Sequence, residues 1–224
     1  MPPAPSIAVR PRPRPLARRA AFGIGTGIAL GVGLGGLAWL SDQLSYPWGA
    51  LIPANAIGAW VGLAFLLGTS ARTVPTGALR AVIGLLSAVI AYYLLIALSG
   101  AGFRAIGASH AATTWGSVAL VAGPAFGAAG GAWRHRRGWP RSLAVAVLAA
   151  SFIAEGLVFG GLRLGDSAGI LLTVEAGIGL LLPAFLLGSR ERWRGYAATV
   201  VLAFVGGLAI GPVTSLVRGI ADRF

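Results

Sequence analysis

The chain has 224 residues, of which 56% are hydrophobic and only 11% charged, and its net charge is +12. A soluble domain normally has about 25% charged residues, so this composition argues against an ordinary water-soluble domain and predicts a protein embedded in lipid. The chain has no cysteine, which excludes disulfides, thiolate metal sites and cysteine nucleophiles.

The first predicted segment, residues 1–19, is a cytoplasmic tail rich in proline and arginine. Such a composition cannot form a packed core, so the tail is predicted to be disordered or extended. It would rest on anionic lipid headgroups or, alternatively, dock into an aromatic groove of a partner. The rest of the chain, residues 20–224, is predicted to be one transmembrane domain.

Seven apolar stretches follow the tail, each close to the roughly 20 residues that a membrane-crossing helix needs. They cover about residues 20–40, 50–68, 81–99, 113–132, 142–162, 168–188 and 197–217. β-Barrel strands would be about ten residues long and would alternate in polarity, which these stretches do not. The predicted fold is therefore an all-α polytopic membrane bundle of seven transmembrane helices.

Arginine supplies every basic side chain and collects at alternate gaps between the spans. Basic residues stay on the cytoplasmic side of a membrane, which predicts an inside N-terminus in the inner membrane of a bacterial cell. The predicted cytoplasmic arginines are Arg10, Arg12, Arg14, Arg18, Arg19, Arg72, Arg80, Arg134, Arg136, Arg137, Arg141, Arg190, Arg192 and Arg194. Because these charges lie in short gaps beside apolar runs, nucleic-acid binding is not predicted.

Two spans end alike, which suggests an internal duplication. The sequence Ala-Phe-Leu-Leu-Gly occurs at residues 64–68 and again at 184–188, and Gly-Gly-Leu precedes an aspartate near each copy. Spans one to three would then repeat as spans five to seven, in a 3+1+3 parallel arrangement of the kind found in transporters. In this register Asn55 corresponds to Glu175.

Glu155 and Glu175 are ionisable residues inside apolar spans, where such groups are costly and each suggests a functional site. Both are predicted in the outer half of the bundle, where Asn55 could join them in one cavity. The resulting hypothesis is binding of a cation or polar solute, or proton transfer; the alternative is hydrogen bonding between helices without a ligand. Tyr92, in the outer half of the third span, is a further candidate, although anchoring in the core or interface is also consistent with it.

Glycines spaced four residues apart form two ladders, one in the first span and one in the fourth. Their members are Gly23, Gly27, Gly31, Gly35, Gly123, Gly127 and Gly131. Glycine on one helix face lets another backbone pack directly against it. The ladders would serve packing inside the bundle or docking of a membrane partner or a second copy.

The sequence contains no nucleophile–base arrangement and no phosphate-binding loop, so the chain is not predicted to be an enzyme, and no cofactor is predicted. His110 and His135 have no neighbouring ligands in the sequence that would indicate a metal site. His135 belongs to an arginine cluster, Arg134–Arg137, that is expected to contact lipid headgroups.

Several segments of the chain form a recognisable set: Trp48-Gly49-Ala50-Leu51, Asn55, Trp60 with the following Ala64–Gly68, Tyr92-Tyr93 and Ala154-Glu155. Together they resemble an uncharacterised family of small polytopic membrane proteins from actinobacteria. The resemblance implies a membrane topology and a bacterial origin, and no activity. A looser likeness, in size and in the outer polar layer, relates the chain to the membrane-embedded substrate-capture subunits of vitamin importers, which have six spans rather than seven.

These observations predict a transporter of a small solute or ion, or its membrane capture subunit, with a binding site at Asn55, Glu155, Glu175 and Tyr92. The solute or cation is not identified by the sequence. The competing prediction is a scaffold or accessory subunit that does not transport and that binds another membrane protein, or a second copy, through its glycine-lined faces. A cavity open to water near the glutamates would favour the first of these.

Overall fold

The computed structural model describes the backbone of residues 16–44, 53–99, 104–162 and 166–221, and the side-chain surroundings of 22–44, 54–99, 109–157 and 174–206. The described backbone is entirely helical apart from turns, with no β-strand. In chain order the elements are α1 (Leu16–Gln43), a 3-10 helix (Pro53–Asn55), α2 (Ile57–Ser70), α3 (Val74–Leu98), α4 (Arg104–His135), α5 (Trp139–Leu162), α6 (Asp166–Leu186) and α7 (Ser189–Ala221). Each predicted span overlaps one of these seven α-helices, so the predicted all-α fold is confirmed.

Within the described part of the chain, three stretches of helix are long and apolar enough to cross a membrane: Phe22–Gln43, Val74–Leu98 and Trp139–Leu157. Two shorter apolar stretches, Ile57–Ser70 and Val174–Leu186, occur among the described residues. Seven crossings and their direction stay predictions. Of the predicted tail, residues 1–15 lie outside the described residues, and residues 16–19 are the first of α1.

Helix α2 is shorter than the span predicted for residues 50–68. The chain first forms the 3-10 helix from Pro53, and Ala56 is extended with φ −73° and ψ 137°, so α-helical bonding starts only at Ile57. With 14 residues, α2 is about 21 Å long at 1.5 Å per residue, less than the roughly 30 Å of a bilayer core. Helix α2 by itself is therefore too short to cross such a core.

Helix α3 lies between α1 and α4 and begins at a well-defined cap. Thr73 accepts a hydrogen bond from the backbone N–H of Thr76 at 3.4 Å, and the Thr76 hydroxyl in turn accepts from the Thr73 N–H at 3.2 Å. This reciprocal pairing satisfies two donors that a helix start otherwise leaves open. Because of this cap, only three residues separate the end of α2 at Ser70 from the start of α3 at Val74.

The glycine ladders of α1 and α4 pack on α3. A side chain at Gly31 would collide with the carbonyl of Gly84, and one at Gly127 would lie 2.6 Å from the Cβ of Ala81. The other ladder members that face α3 are Gly23, Gly27, Gly35, Gly123 and Gly131. Both ladders are therefore occupied by a helix of the same chain.

The packing places small residues inside and large apolar residues outside. The buried core is built largely of alanine, including Ala64, Ala81 and Ala88 at 0% exposure. By contrast, Val121 is 75% exposed and Phe185 is 80% exposed. Some large apolar side chains, such as Phe65 and Leu67, are buried, but a water-soluble bundle buries most of them to gain hydrophobic free energy, so the many exposed ones are not typical of a soluble bundle.

The predicted 3+1+3 repeat has mixed structural support. Helix α1 packs against α3, and α5 packs against α7, as equivalent pairs of a repeat should. However, Asn55 lies in the 3-10 helix before α2, whereas its counterpart Glu175 lies well inside α6. The duplication stays a prediction.

Candidate functional site

The four predicted site residues lie in two groups. Asn55 and Tyr92 line a cavity among the 3-10 helix, α3 and their neighbours, whereas Glu155 and Glu175 are buried where α5 and α6 pack together. The two glutamates are not among the residues that line the cavity. Glu155 nevertheless bonds the backbone N–H of Ile57, a cavity residue two positions after Asn55, and a shared site of Asn55 with the glutamates stays a prediction.

The cavity has a volume of about 340 Å³, within the range of roughly 300–1,000 Å³ that is usual for small-molecule sites. It lies at the end of the bundle where α1 and α3 end and α2 and α4 begin. Its polar lining is Asp42 and Asn55, and aliphatic side chains fill much of the remaining wall. Its aromatic lining consists of Trp60, Tyr92, Tyr93 and Trp115.

Asp42 is the centre of the polar network in this cavity. One of its carboxylate oxygens, Oδ1, accepts a hydrogen bond from Asn55 Nδ2 at 2.6 Å, and the other, Oδ2, accepts one from the Tyr92 hydroxyl at 2.5 Å. Asn55 also donates to the carbonyl of Ala38, at 3.2 Å. Residues from three separate elements are therefore joined through one carboxylate.

Asp42 is the aspartate that follows the first Gly-Gly-Leu of the possible repeat, and it was not among the predicted site residues. Its position at the end of α1 makes it look like an ordinary solvated residue at the edge of a span. Its proximity to Asn55 and Tyr92 depends on the arrangement of the helices.

Two aromatic contacts stabilise the shape of the cavity wall. The indole N–H of Trp60 donates to the carbonyl of Ala54 at 2.8 Å, which links the first turns of α2 to the 3-10 helix. The rings of Tyr92 and Tyr93 meet edge to face, with their centroids 4.9 Å apart, a favourable geometry for aromatic pairs.

Glu155 caps the start of α2 from another helix. Its two carboxylate oxygens accept hydrogen bonds from the backbone N–H groups of Ile57 and Gly58, each at 2.6 Å. The first N–H groups of a helix lack partners within the helix and attract negative charge. Glu155, only 7% exposed, therefore supplies both hydrogen bonds and charge to a helix start that contributes Ile57 to the cavity wall.

Glu175 lies beside Glu155 but is bound differently. It is 3% exposed, and the Glu155 carboxyl group is close enough to interact with it electrostatically. Apart from the Glu155 carboxyl group, no described residue lies at hydrogen-bond distance from either Glu175 oxygen. The two glutamates thus differ in role: one holds a helix terminus, and the other has no hydrogen-bond partner besides Glu155 within the described part of the chain.

The opposite end of the bundle is strongly basic. Its loop after α4 turns at Gly138, which has φ +68°, and Glu191 of α7 accepts from the Gly138 N–H at 2.6 Å. His135 Nε2 lies 2.8 Å from the carbonyl of Ala71 in the turn between α2 and α3. These contacts hold the arginine cluster against neighbouring turns.

The described residues contain no group of three or more histidine or acidic residues placed to hold a metal ion. No curated protein and no solved structure matches the chain. One protein-family model matches the chain over residues 12–217, and this range includes every site residue described above. The chain therefore belongs to DUF6518, a family of unknown function.

Proposed function

We propose that this protein is an integral membrane protein of the bacterial inner membrane, crosses it seven times, and binds a small solute in the cavity around Asp42, either to transport it or to present it to a partner. The outward-facing large apolar side chains and the three membrane-length helices support the insertion in lipid. Lipid, unlike water, solvates these side chains without a hydrophobic penalty.

The distribution of arginine supports the proposed direction of insertion. All arginines with described side-chain surroundings lie at one end of the bundle, the end that holds the turn between α2 and α3. Some lie in turns there, and the others lie in the first or last turns of the helices that start or end there. They are Arg72, Arg80, Arg134, Arg136, Arg137, Arg141, Arg190, Arg192 and Arg194. With this end in the cytoplasm, the cavity faces outward.

The short helix α2 is the observation that favours solute binding most. Non-helical backbone at membrane depth is tolerated where it lines a cavity, and transporters build their sites at the ends of discontinuous helices. In this chain the 3-10 helix and the start of α2 adjoin the cavity, and Asn55, Ile57 and Trp60 contribute to its wall. A chain that only needed to fill the membrane would not require this interruption.

The alternative role as a scaffold has less support, because both glycine ladders pack on α3 within the chain. Because α3 already covers both ladders, another membrane protein could bind either one only if α3 moved away. The proposed role involves no catalysis by the chain itself.

Labelling of single cysteines tests the topology, and the natural absence of cysteine makes each introduced thiol unique. We expect Asn55→Cys to react with an impermeant maleimide in intact cells, and Arg136→Cys to react only after the membrane is permeabilised. Phe185→Cys, on the proposed lipid face, should resist labelling in both conditions. Reaction of Arg136→Cys in intact cells would overturn the proposed direction.

A thermal-shift screen tests solute binding. Purified protein in a nonionic detergent is heated with a panel of cationic, anionic and neutral solutes, and the Tm is compared with that of Val118→Phe. Val118 lines the cavity but is 44% exposed, so a larger side chain should fill the cavity without straining the core. A solute that raises the Tm of the natural chain and not of the variant supports the proposal; a panel without any such solute contradicts it.

A further inference from the structure

We infer that the solute of this cavity is an organic ammonium cation, held by the carboxylate of Asp42 and the surrounding aromatic rings. The inference rests on the proposed solute-binding function and adds the chemical class of the ligand. The cavity combines one carboxylate with Trp60, Tyr92, Tyr93 and Trp115. Aromatic faces attract cations through their quadrupole, and such rings recognise ammonium groups.

Among the described residues, the Asp42 carboxylate has hydrogen-bond donors but no cationic partner. Its two described partners, Asn55 and Tyr92, are both uncharged donors, and no arginine with described surroundings lies within ion-pair distance of it. Each carboxylate oxygen can accept a second hydrogen bond, so Asp42 keeps acceptor capacity for a ligand. A cation in the cavity would supply the missing positive charge.

The same donors define the orientation of the carboxylate before a ligand arrives. Asn55 approaches one oxygen from the 3-10 helix, and Tyr92 approaches the other from α3. A site whose polar group is already held in place loses less conformational entropy on binding. The two hydrogen bonds therefore hold the Asp42 carboxylate in a fixed orientation in which it can bind a cation.

The rest of the wall favours an organic cation over a metal ion. Calcium takes six to eight oxygen ligands and magnesium about six, whereas the polar side chains lining this cavity are Asp42, Asn55 and the Tyr92 and Tyr93 hydroxyls, with one carboxylate among them. The aliphatic residues Val61, Leu85 and Val89 complete much of the surface. This lining suits a ligand with a charged group and an apolar body.

Choline and its uncharged isostere 3,3-dimethylbutan-1-ol test the inference, because they share shape and differ in charge. Binding to the full chain is measured by calorimetry in nonionic detergent and phosphate buffer, since Tris is itself an organic ammonium ion. We expect choline to bind at least tenfold more tightly than the isostere. In Asp42→Asn, which keeps the shape of the side chain, this preference should fall to about one.

Trp115→Leu provides a second variant with less risk to folding, because Trp115 is 45% exposed and makes no hydrogen bond to another described residue. It should weaken choline binding several-fold through the loss of an aromatic face. The matched control is Trp139→Leu at the opposite end of the bundle, where Trp139 is 51% exposed and choline affinity should not change.

Equal affinity for choline and the isostere, or full choline binding by Asp42→Asn, would overturn the inference. If a neutral or anionic solute then stabilised the natural chain but not Val118→Phe, the solute-binding function would stand while the cation assignment failed. If no solute of any charge distinguished those two proteins, both would fail.

Discussion

Replacement of Glu155 by glutamine should destabilise the folded protein strongly, although the two side chains have nearly the same shape. The carboxylate accepts two backbone hydrogen bonds at 2.6 Å from the start of α2. Glutamine keeps one acceptor oxygen and turns an NH₂ group toward the second N–H, so one bond is lost and a buried donor is left unsatisfied.

The magnitude follows from these two bonds. A hydrogen bond to a charged group contributes about 1.5–3 kcal/mol, and a buried unsatisfied donor costs about 1–3 kcal/mol. The attraction between the carboxylate and the helix start adds up to roughly 2 kcal/mol in partly buried geometries. Because these effects overlap, we expect a loss of about 2–4 kcal/mol for Glu155→Gln, or roughly a 30- to 700-fold shift in the unfolding equilibrium.

Equilibrium unfolding in mixed micelles, followed by tryptophan fluorescence, measures this change. Glu175→Gln is the matched control, since it makes the same substitution in the neighbouring buried carboxyl group. Because Glu175 accepts no hydrogen bond from the start of α2, Glu175→Gln should change the free energy of unfolding less than Glu155→Gln does. Equal losses in the two variants, or a larger loss for Glu175→Gln, would refute the assignment of Glu155 as the cap of α2.

Three further predictions follow from individual contacts. Gly35→Ala should lower the free energy of unfolding by about 1–3 kcal/mol, because the new Cβ collides with a carbonyl of α3. Gly33→Ala is the control: its Cβ meets open space, so it should be neutral or stabilising by up to about 1 kcal/mol. Equal effects of the two variants in thermal melts would contradict the packing of α1. Glu191→Ala removes the acceptor of the Gly138 N–H and should cost about 1–3 kcal/mol, with faster hydrogen exchange at that amide as a direct readout; an unchanged exchange rate would contradict it. Trp60→Phe keeps an aromatic ring but removes a 2.8 Å hydrogen bond, so it should cost about 1 kcal/mol in the same melts, and a gain in stability would argue against the bond.

The candidate site could be predicted from the sequence only in part. Asn55 and Tyr92 attract notice because they are polar residues in or beside apolar runs, and both line the cavity. Asp42 was missed as a site residue because nothing in its local sequence distinguishes it from a solvated residue at the end of a helix. Glu155 was noticed as an ionisable residue inside an apolar span. Its role as the cap of α2 depends on a contact between residues 98 positions apart.

Local sequence determined the helices themselves, because its apolar stretches are about 20 residues long and lack the alternation in polarity of a half-buried strand. It also determined the close approach of α1 and α4 to α3, because glycine at every fourth position leaves a face without side chains. Only the tertiary structure decided which polar groups meet. Helices that are apolar on all sides contain no periodic signal for their rotation about their own axes, and that rotation places Tyr92 against Asp42 and Glu155 against the start of α2.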